Sequence, residues 1–255
     1  MMEGMNKNRR LMNTTLFISD VHLSEFYPHI TSTFLYFLEH TAAQADVLYI
    51  LGDFFDAYLG DDDNSDLIQT IVSAFVTLTD KGVPVFLMPG NHDFLISKKF
   101  AARSHITLLK DPCVVRIYDQ PILLMHGDSL CLKDHWHQRF RKLIHNRFLQ
   151  KLFLFLPLFF RKKISLSFHR DNEQRYQRAT SNLMEITEET ATTLMKKYNV
   201  NRMIHGHTHQ PAIHVLSNGE RMVMDSWHSH GNYLEIDQTG AAKLVDLPHS
   251  SKITR

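Results

Sequence analysis

The sequence predicts an α/β fold in which helices flank two packed β-sheets and a helical lid is inserted late in the chain. Three observations predict it. Short apolar runs alternate with segments of helical period through the first hundred residues, which argues for strand–helix units. Short β runs then follow one another closely between residues 202 and 236, which argues for a second sheet. Between these regions lies a basic, strongly apolar stretch that fits neither sheet.

The elements follow in order. Thr15–Ser19 (TLFIS) is a short apolar run that reads as a buried strand. Thr31–Ala43 carries apolar residues at helical spacing: Phe34, Leu35, Phe37, Leu38 and Ala42. Val47–Leu51 (VLYIL) is a second buried strand, and Leu67–Lys81 a helix stopped by Gly82. Val83–Met88 is a third strand, and Ile96–Arg103 a short helix. Val114–Ile117 and Ile122–Met125 read as strands, as do Arg202–Ile204 and the runs near 212–216, 221–225 and 232–236. Arg139–Arg170 holds nine Lys or Arg and no Asp or Glu, and includes the apolar run Leu152–Phe160 (LFLFLPLFF). Pro157 must break or kink any helix there. Its leucines and phenylalanines either form the core of an ordinary helical subdomain or line a pocket for apolar chains beside a basic rim.

The expected organisation is a leader over 1–13, a core formed by 14–132 and 200–248, an inserted lid and return helix over 133–199, and a tail over 249–255. A chain of 255 residues suits one large domain with an inserted lobe. A net charge of +1 gives no global signal for a polyanion, so no nucleic-acid partner is expected. The basic stretch lacks the periodic stripe that would grip nucleic acid. Two cysteines, Cys113 and Cys131, are too few for a disulfide framework and fit a reducing cytosol. No apolar run reaches the ~20 residues of a membrane-spanning helix. Oligomeric state is not legible.

The chemistry is concentrated in short motifs at predicted strand ends. They are Asp20-Val-His22, Gly52-Asp53, Gly90-Asn91-His92-Asp93, His126-Gly127-Asp128 and Gly206-His207-Thr208-His209. Any one alone is an ordinary turn. All five after apolar runs are different, because loops beyond strand C-termini converge on one crevice in α/β folds. Asp, Asn and His together are a ligand set for divalent ions such as Mn²⁺, Fe²⁺ or Zn²⁺. A carboxylate can bridge two ions, and paired ions supply both a water-derived nucleophile and charge against phosphate oxygens. Asp20, His22, Asp53, Asn91, His126, His207 and His209 are therefore the candidate ligands of a two-metal phosphoester or phosphoanhydride hydrolase. Asp20 and His22 are expected to point to one side of a strand end, and His207 and His209 likewise. A nuclease remains a rival reading; a non-enzymatic scaffold would be expected to have lost ligands.

This series resembles the calcineurin-like metallophosphoesterase superfamily over about residues 15–236. The resemblance implies a β-sandwich flanked by helices with a dinuclear centre between the sheets. It implies that Asp20, His22, Asp53 and His209 hold one ion, that Asp53, Asn91, His126 and His207 hold the other, and that Asp53 bridges. His92 corresponds to an outer histidine that positions the phosphate and can protonate the leaving group.

A narrower resemblance rests on Tyr49-Ile-Leu-Gly-Asp-Phe-Phe55, Gly60-Asp-Asp-Asp63, His126-Gly-Asp-Ser-Leu-Cys131, Leu156-Pro-Leu-Phe-Phe-Arg-Lys162 and His205-Gly-His-Thr-His-Gln-Pro211. These are similar to the family of pyrophosphohydrolases that cleave UDP-2,3-diacylglucosamine in lipid A synthesis. It implies Mn²⁺, a nucleotide-activated acylated sugar as substrate, and release of UMP and 2,3-diacylglucosamine 1-phosphate. It also implies cytoplasmic protein associated peripherally with the inner membrane through the basic, apolar lid. Asn91, His92, Asp134 and His207 would touch substrate, with Asn172 and Tyr176 placed there by count. The chain departs from this family at His92, where the family has Arg, and over Asn172–Ala179, where it has a Ser, Asn and Lys cluster. Those departures keep open a phosphodiesterase or phosphatase for another phosphorylated lipid or nucleotide. Gly60–Asp63 reads as a solvated loop or helix cap, and His228 and His230 as a solvated turn that could line the crevice.

Overall fold

A computed structural model describes residues 14–130, 141, 143–144, 146–176, 186–228 and 230–247, with the side chains of 168–176 excepted. Strand β1 (Thr14–Ile18) leads into helix α1 (Pro28–His40), strand β2 (Val47–Leu51), helix α2 (Asp66–Asp80) and strand β3 (Val85–Met88). Helix α3 (Lys98–Arg103) and the two-residue strand β4 (Thr107–Leu108) follow. Next come β5 (Cys113–Ile117), β6 (Gln120–Leu124), and helices α4 (Arg147–Phe155), α5 (Leu158–Tyr176) and α6 (Glu188–Tyr198). The chain finishes with β7 (Arg202–His205), β8 (Ala212–Leu216), β9 (Gly219–Val223), β10 (Asn232–Asp237) and β11 (Ala242–Asp246).

The strands form two sheets. The six-stranded sheet runs β11-β10-β1-β2-β3-β4, with β1 to β4 mutually parallel and β10 antiparallel to β1. The five-stranded sheet runs β5-β6-β7-β9-β8, with β6, β7 and β9 parallel. Side-chain alternation sorts each strand between two cores. From β1, Leu16 and Ile18 face the helices while Phe17 faces the other sheet; from β2, Leu48 and Ile50 face the helices while Tyr49 and Leu51 face the other sheet. The inter-sheet core joins Phe17, Leu51, Met88 and Leu234 of the six-stranded sheet to Leu124, Ile204 and Met222 of the five-stranded one. A third cluster packs Ala191 and Met195 of α6 against Leu123 and Met203 on the outer face of the five-stranded sheet. Four layers result: helices, sheet, sheet, helix. Strands covered on both faces read as unbroken apolar runs, which is why VLYIL shows no alternation in the sequence.

The differences from expectation have physical reasons. Helix α1 starts at Pro28, a residue whose fixed φ suits the first helical position, and so opens three residues ahead of the apolar periodicity. Strands β4 and β11 were not expected; they are short or partly polar edge strands, where a run of apolar residues is not needed. Pro157 does separate two helices, α4 and α5, and α5 continues past Arg170 to Tyr176. Asn146 caps α4 by accepting from Phe148 N and Leu149 N.

Phe34 of α1 is fully buried, with ring centroids at 5.0 Å from Phe54, 5.9 Å from Phe75 and 6.0 Å from Trp227. Phe34→Ala is expected to destabilise the protein by about 3–5 kcal/mol in urea unfolding, the range for deleting a buried aromatic ring. A loss below about 1 kcal/mol would show that this aromatic cluster does not carry the helix–sheet packing.

Candidate metal centre

The site lies where β1, β2, β3, β6 and β7 end. The chain leaves each strand by a sharp turn, and the turns place polar residues in the left-handed region: Asp20 at φ 52°, His22 at 52°, Asp53 at 48°, His207 at 65° and His209 at 51°. Asp and His tolerate this region better than branched side chains do. Backbone bonds lock the neighbouring turns together, from Asp20 N to Gly52 O at 3.1 Å and from His22 N to Asp53 O at 3.0 Å. Gly90 permits a close approach, because a Cβ there would collide with the Asp53 carboxylate and backbone nitrogen.

Donor atoms gather in overlapping groups, each with its atoms within 4.8 Å of one another: Asp20, His22 and His209; Asp53, His126 and His207; and His22, Asp53 and His92. Ligands around one ion at about 2.1 Å stand no more than about 4.2 Å apart, so these groups are near coordination size. Asp53 belongs to two of them. Asn91 joins the second group, its Oδ1 at 2.9 Å from His126 Nε2.

Neighbours aim these groups. His126 Nδ1 donates to Leu51 O at 3.0 Å, which turns Nε2 toward Asn91 Oδ1 and toward Asp53 Oδ2 at 3.4 Å. With Nε2 unprotonated, three lone-pair atoms converge there, a donor set that a divalent cation in place of that proton would satisfy. Asp20 Oδ2 accepts from Ser19 Oγ at 2.5 Å and from His207 N at 2.9 Å, while Oδ1 lies 3.2 Å from His209 Nε2. His92 Nδ1 donates to Asp56 O at 2.9 Å, leaving Nε2 4.0 Å from Asp53 Oδ2. Burial opposes ionisation of Asp20 and Asp53, yet the surrounding imidazoles hold both carboxyls below their ordinary range. Burial drives His22 down to about 3, so it is a neutral donor. Burial also depresses His126 and His92, but Asp53 outweighs it and raises both.

All seven expected ligands and His92 come together, with one correction of direction. His207 and His209 do not point to the same side. The chain has left β7 at His205, so strand alternation no longer applies, and two left-handed residues splay the rings. The His207 ring meets His126 at 4.9 Å, whereas His209 meets Asp20 and lies 5.9 Å from the His22 ring. His228 is exposed in its turn, as expected, and it also lines the crevice: its ring stacks on His22 at 5.7 Å and lies 5.8 Å from His209. His230 instead pairs with Asp246 at 3.1 Å. Asp134 and the Asn172 and Tyr176 side chains lie outside the described residues.

Asp93, which the sequence motif does not single out, is fully buried and accepts from Gly90 N at 2.6 Å, Phe54 N at 2.8 Å and Phe55 N at 3.2 Å, tying the β2 and β3 loops together. Burial and the Asp53 charge push its carboxyl up to about 6. Its place in the Gly-Asn-His-Asp run was the available signal. Asp128, in the His126-Gly127-Asp128 motif, lies outside the donor groups and accepts from Arg141 Nε at 2.7 Å. Gly60–Asp63 is not a free solvated loop either: Asp61 accepts from Ser97 Oγ at 2.8 and 2.7 Å, and Asp62 pairs with Arg161.

Residues 14–211 match the family model of the calcineurin-like phosphoesterases. A UDP-2,3-diacylglucosamine hydrolase of Coxiella burnetii (strain RSA 493 / Nine Mile phase I) is 47% identical over 238 residues, covering 91% of this chain and 97% of that one. A protein of the same name from Pectobacterium carotovorum subsp. carotovorum (strain PC1) is 45% identical, covering 92% and 99%. Another from Edwardsiella ictaluri (strain 93-146) is 43% identical, covering 92% of each chain.

Asp93→Ala is expected to release three buried N–H groups and cost at least about 3 kcal/mol of stability. It should also lower the divalent metal retained after dialysis, measured by elemental analysis. Unchanged stability and metal content would mean that the two loops hold their geometry without Asp93.

Proposed function

The chain belongs to the calcineurin-like phosphoesterase family, and from that premise we propose that it hydrolyses the pyrophosphate of UDP-2,3-diacylglucosamine to UMP and 2,3-diacylglucosamine 1-phosphate. The observation that carries this reading is the 47% identity to a hydrolase of that name along nearly the whole of both chains. The protein is a metal-dependent hydrolase of lipid A biosynthesis.

Asp20, His22, Asp53 and His209 would hold one divalent ion; Asp53, Asn91, His126 and His207 would hold the second. Mn²⁺ is the ion we favour for this oxygen and imidazole set. Paired ions supply Lewis acidity toward phosphate oxygens and a water of lowered pKa. The chain's own residues orient the rest. The Leu51 carbonyl fixes the ring of His126, and Ser19 with the His207 amide fixes Asp20. His92, held at Nδ1 by the Asp56 carbonyl, presents Nε2 to the crevice, where it binds the scissile phosphate and can pass a proton to the leaving group.

The helical insertion supplies the apolar part of the substrate site. Helix α4 has no buried residue among those described, so its apolar side chains do not form a closed core. Phe148 is 72% exposed and Phe155 88% exposed, beside exposed Phe159 and Phe160. Lys151, Lys162 and Lys163 flank them. Such a surface suits acyl chains and the anionic cytoplasmic face of the inner membrane, to which we propose the protein binds peripherally. No helix among the described residues is long and apolar enough to cross a membrane.

Purified protein with Mn²⁺ is expected to release UMP from UDP-2,3-diacylglucosamine. Turnover of a generic phosphodiester with no UMP release would instead favour a phosphodiesterase for another phosphorylated lipid or nucleotide, the reading that His92 keeps open. Asp53→Ala should lower kcat by more than about 100-fold, beyond the usual cost of losing an outer partner of a metal ligand. Wild-type turnover at matched metal content would remove Asp53 from the bridge. Replacing the apolar side chains of Leu152–Phe160 by polar ones should raise KM for the lipid and spare a soluble nitrophenyl phosphodiester. Equal losses on both would make the segment a structural core.

A further inference from the structure

Among the described basic side chains of the insertion, one is fully buried. Arg161, in the Leu-Pro-Leu-Phe-Phe-Arg run, is 1% exposed. Its guanidinium reaches three acceptors in two segments at once. Nε donates to Leu156 O at 2.8 Å, at the turn between α4 and α5. Nη1 donates to Leu59 O, and Nη2 pairs with Asp62, both in the loop that follows β2. Gly60, at φ 132°, makes room: a Cβ there would meet Arg161 Nη1 and Leu154 Cδ2. Lys162 lies 3.8 Å from Asp63, and Asp61 is held by Ser97 and Tyr58. The loop that receives the guanidinium is therefore itself fixed to the core.

We propose that Arg161 is the positioning residue of the insertion, fixing where the apolar face of α4 and α5 stands relative to the metal centre. Burying a guanidinium is costly, and apolar packing of equal volume would hold two segments together as well or better. What a planar fork adds is direction: its donors demand particular acceptors at particular angles. A merely apolar seam would let the amphipathic helix slide along the core. The seat is close to the chemistry in sequence as well, since Leu59 lies three residues after Asp56, whose carbonyl holds His92. Arg161 thus acts on substrate through the helices it orients. The exposed side chains of α4 and α5 make the contact.

This inference rests on the reading of the insertion as the home of the acyl chains, and its test separates the two. Wild-type protein, Arg161→Ala, Arg161→Lys and Asp62→Asn are each assayed on UDP-2,3-diacylglucosamine and on a soluble nitrophenyl phosphodiester. Absence of UMP release by the wild type would overturn the proposed function. With that activity present, Arg161→Ala should raise KM for the lipid about tenfold or more while kcat/KM on the soluble diester stays within about twofold. Arg161→Lys should recover only part of the lipid KM, because an ammonium cannot span the same acceptors. Asp62→Asn, at a half-exposed position, should raise lipid KM by about threefold. An unmoved lipid KM, or equal losses on both substrates, would overturn the positioning role. If Arg161→Ala does not fold, Arg161→Lys and Asp62→Asn decide on the same readouts.

Discussion

Two buried carboxylates, Asp20 and Asp53, stand at the ends of adjacent parallel strands, and neither can remain ionised there without compensating charge. Much of the architecture follows from meeting that demand. Imidazoles from three other loops surround the pair, and backbone amides and a serine hydroxyl fill the remaining acceptor sites. Divalent cations held by His126, Asn91 and Asp53 would supply the rest of that compensating charge. The two-sheet sandwich makes this possible, because both sheets end their parallel strands at one crevice. Five left-handed residues then turn the side chains inward, at a conformational cost that the interlocked turns carry.

The same crevice explains the partition of labour. Residues of the core hold charge and proton positions, and each is braced by a neighbour on a different strand. Leu51 of β2 fixes His126 beyond β6, and Asp93 beyond β3 fixes the amides beyond β2. Among the described residues, the insertion meets the core through Arg141 on Asp128, through Arg161 on the loop after β2, and through Phe153 packed on the main apolar cluster. A polar crevice and an exposed apolar surface are thus built from separate parts and joined by directional contacts.

The convergence of the candidate ligands was legible in the sequence because their motifs fall at strand ends and, in four of the five, pair a glycine with donor side chains. That is a local signal: Gly90 is small because Asp53 passes beside it. The four-layer order was legible only in part. Apolar runs revealed the central strands, but β11 (AKLVD) is a partly polar edge strand and β4 is two residues long, so neither carries a run. The splay of His207 and His209 was hidden, since side-chain alternation fails once the chain turns into left-handed geometry. Arg161 was hidden for another reason. It is one of nine basic residues in its stretch, and composition cannot say which of them is buried. The adjacent clues were Gly60 and the acidic residues after it, and these became informative only when the fold brought them to α5.

The central claim is that Asp53 joins two overlapping ligand sets into one dinuclear centre. Electron paramagnetic resonance of the Mn²⁺-loaded protein, with metal content measured on the same sample, tests it most directly. Two ions per chain with an exchange-coupled spectrum that Asp53→Ala converts to uncoupled signals is the predicted result. A single ion per chain, or two ions showing only isolated six-line signals in the wild type, would contradict it.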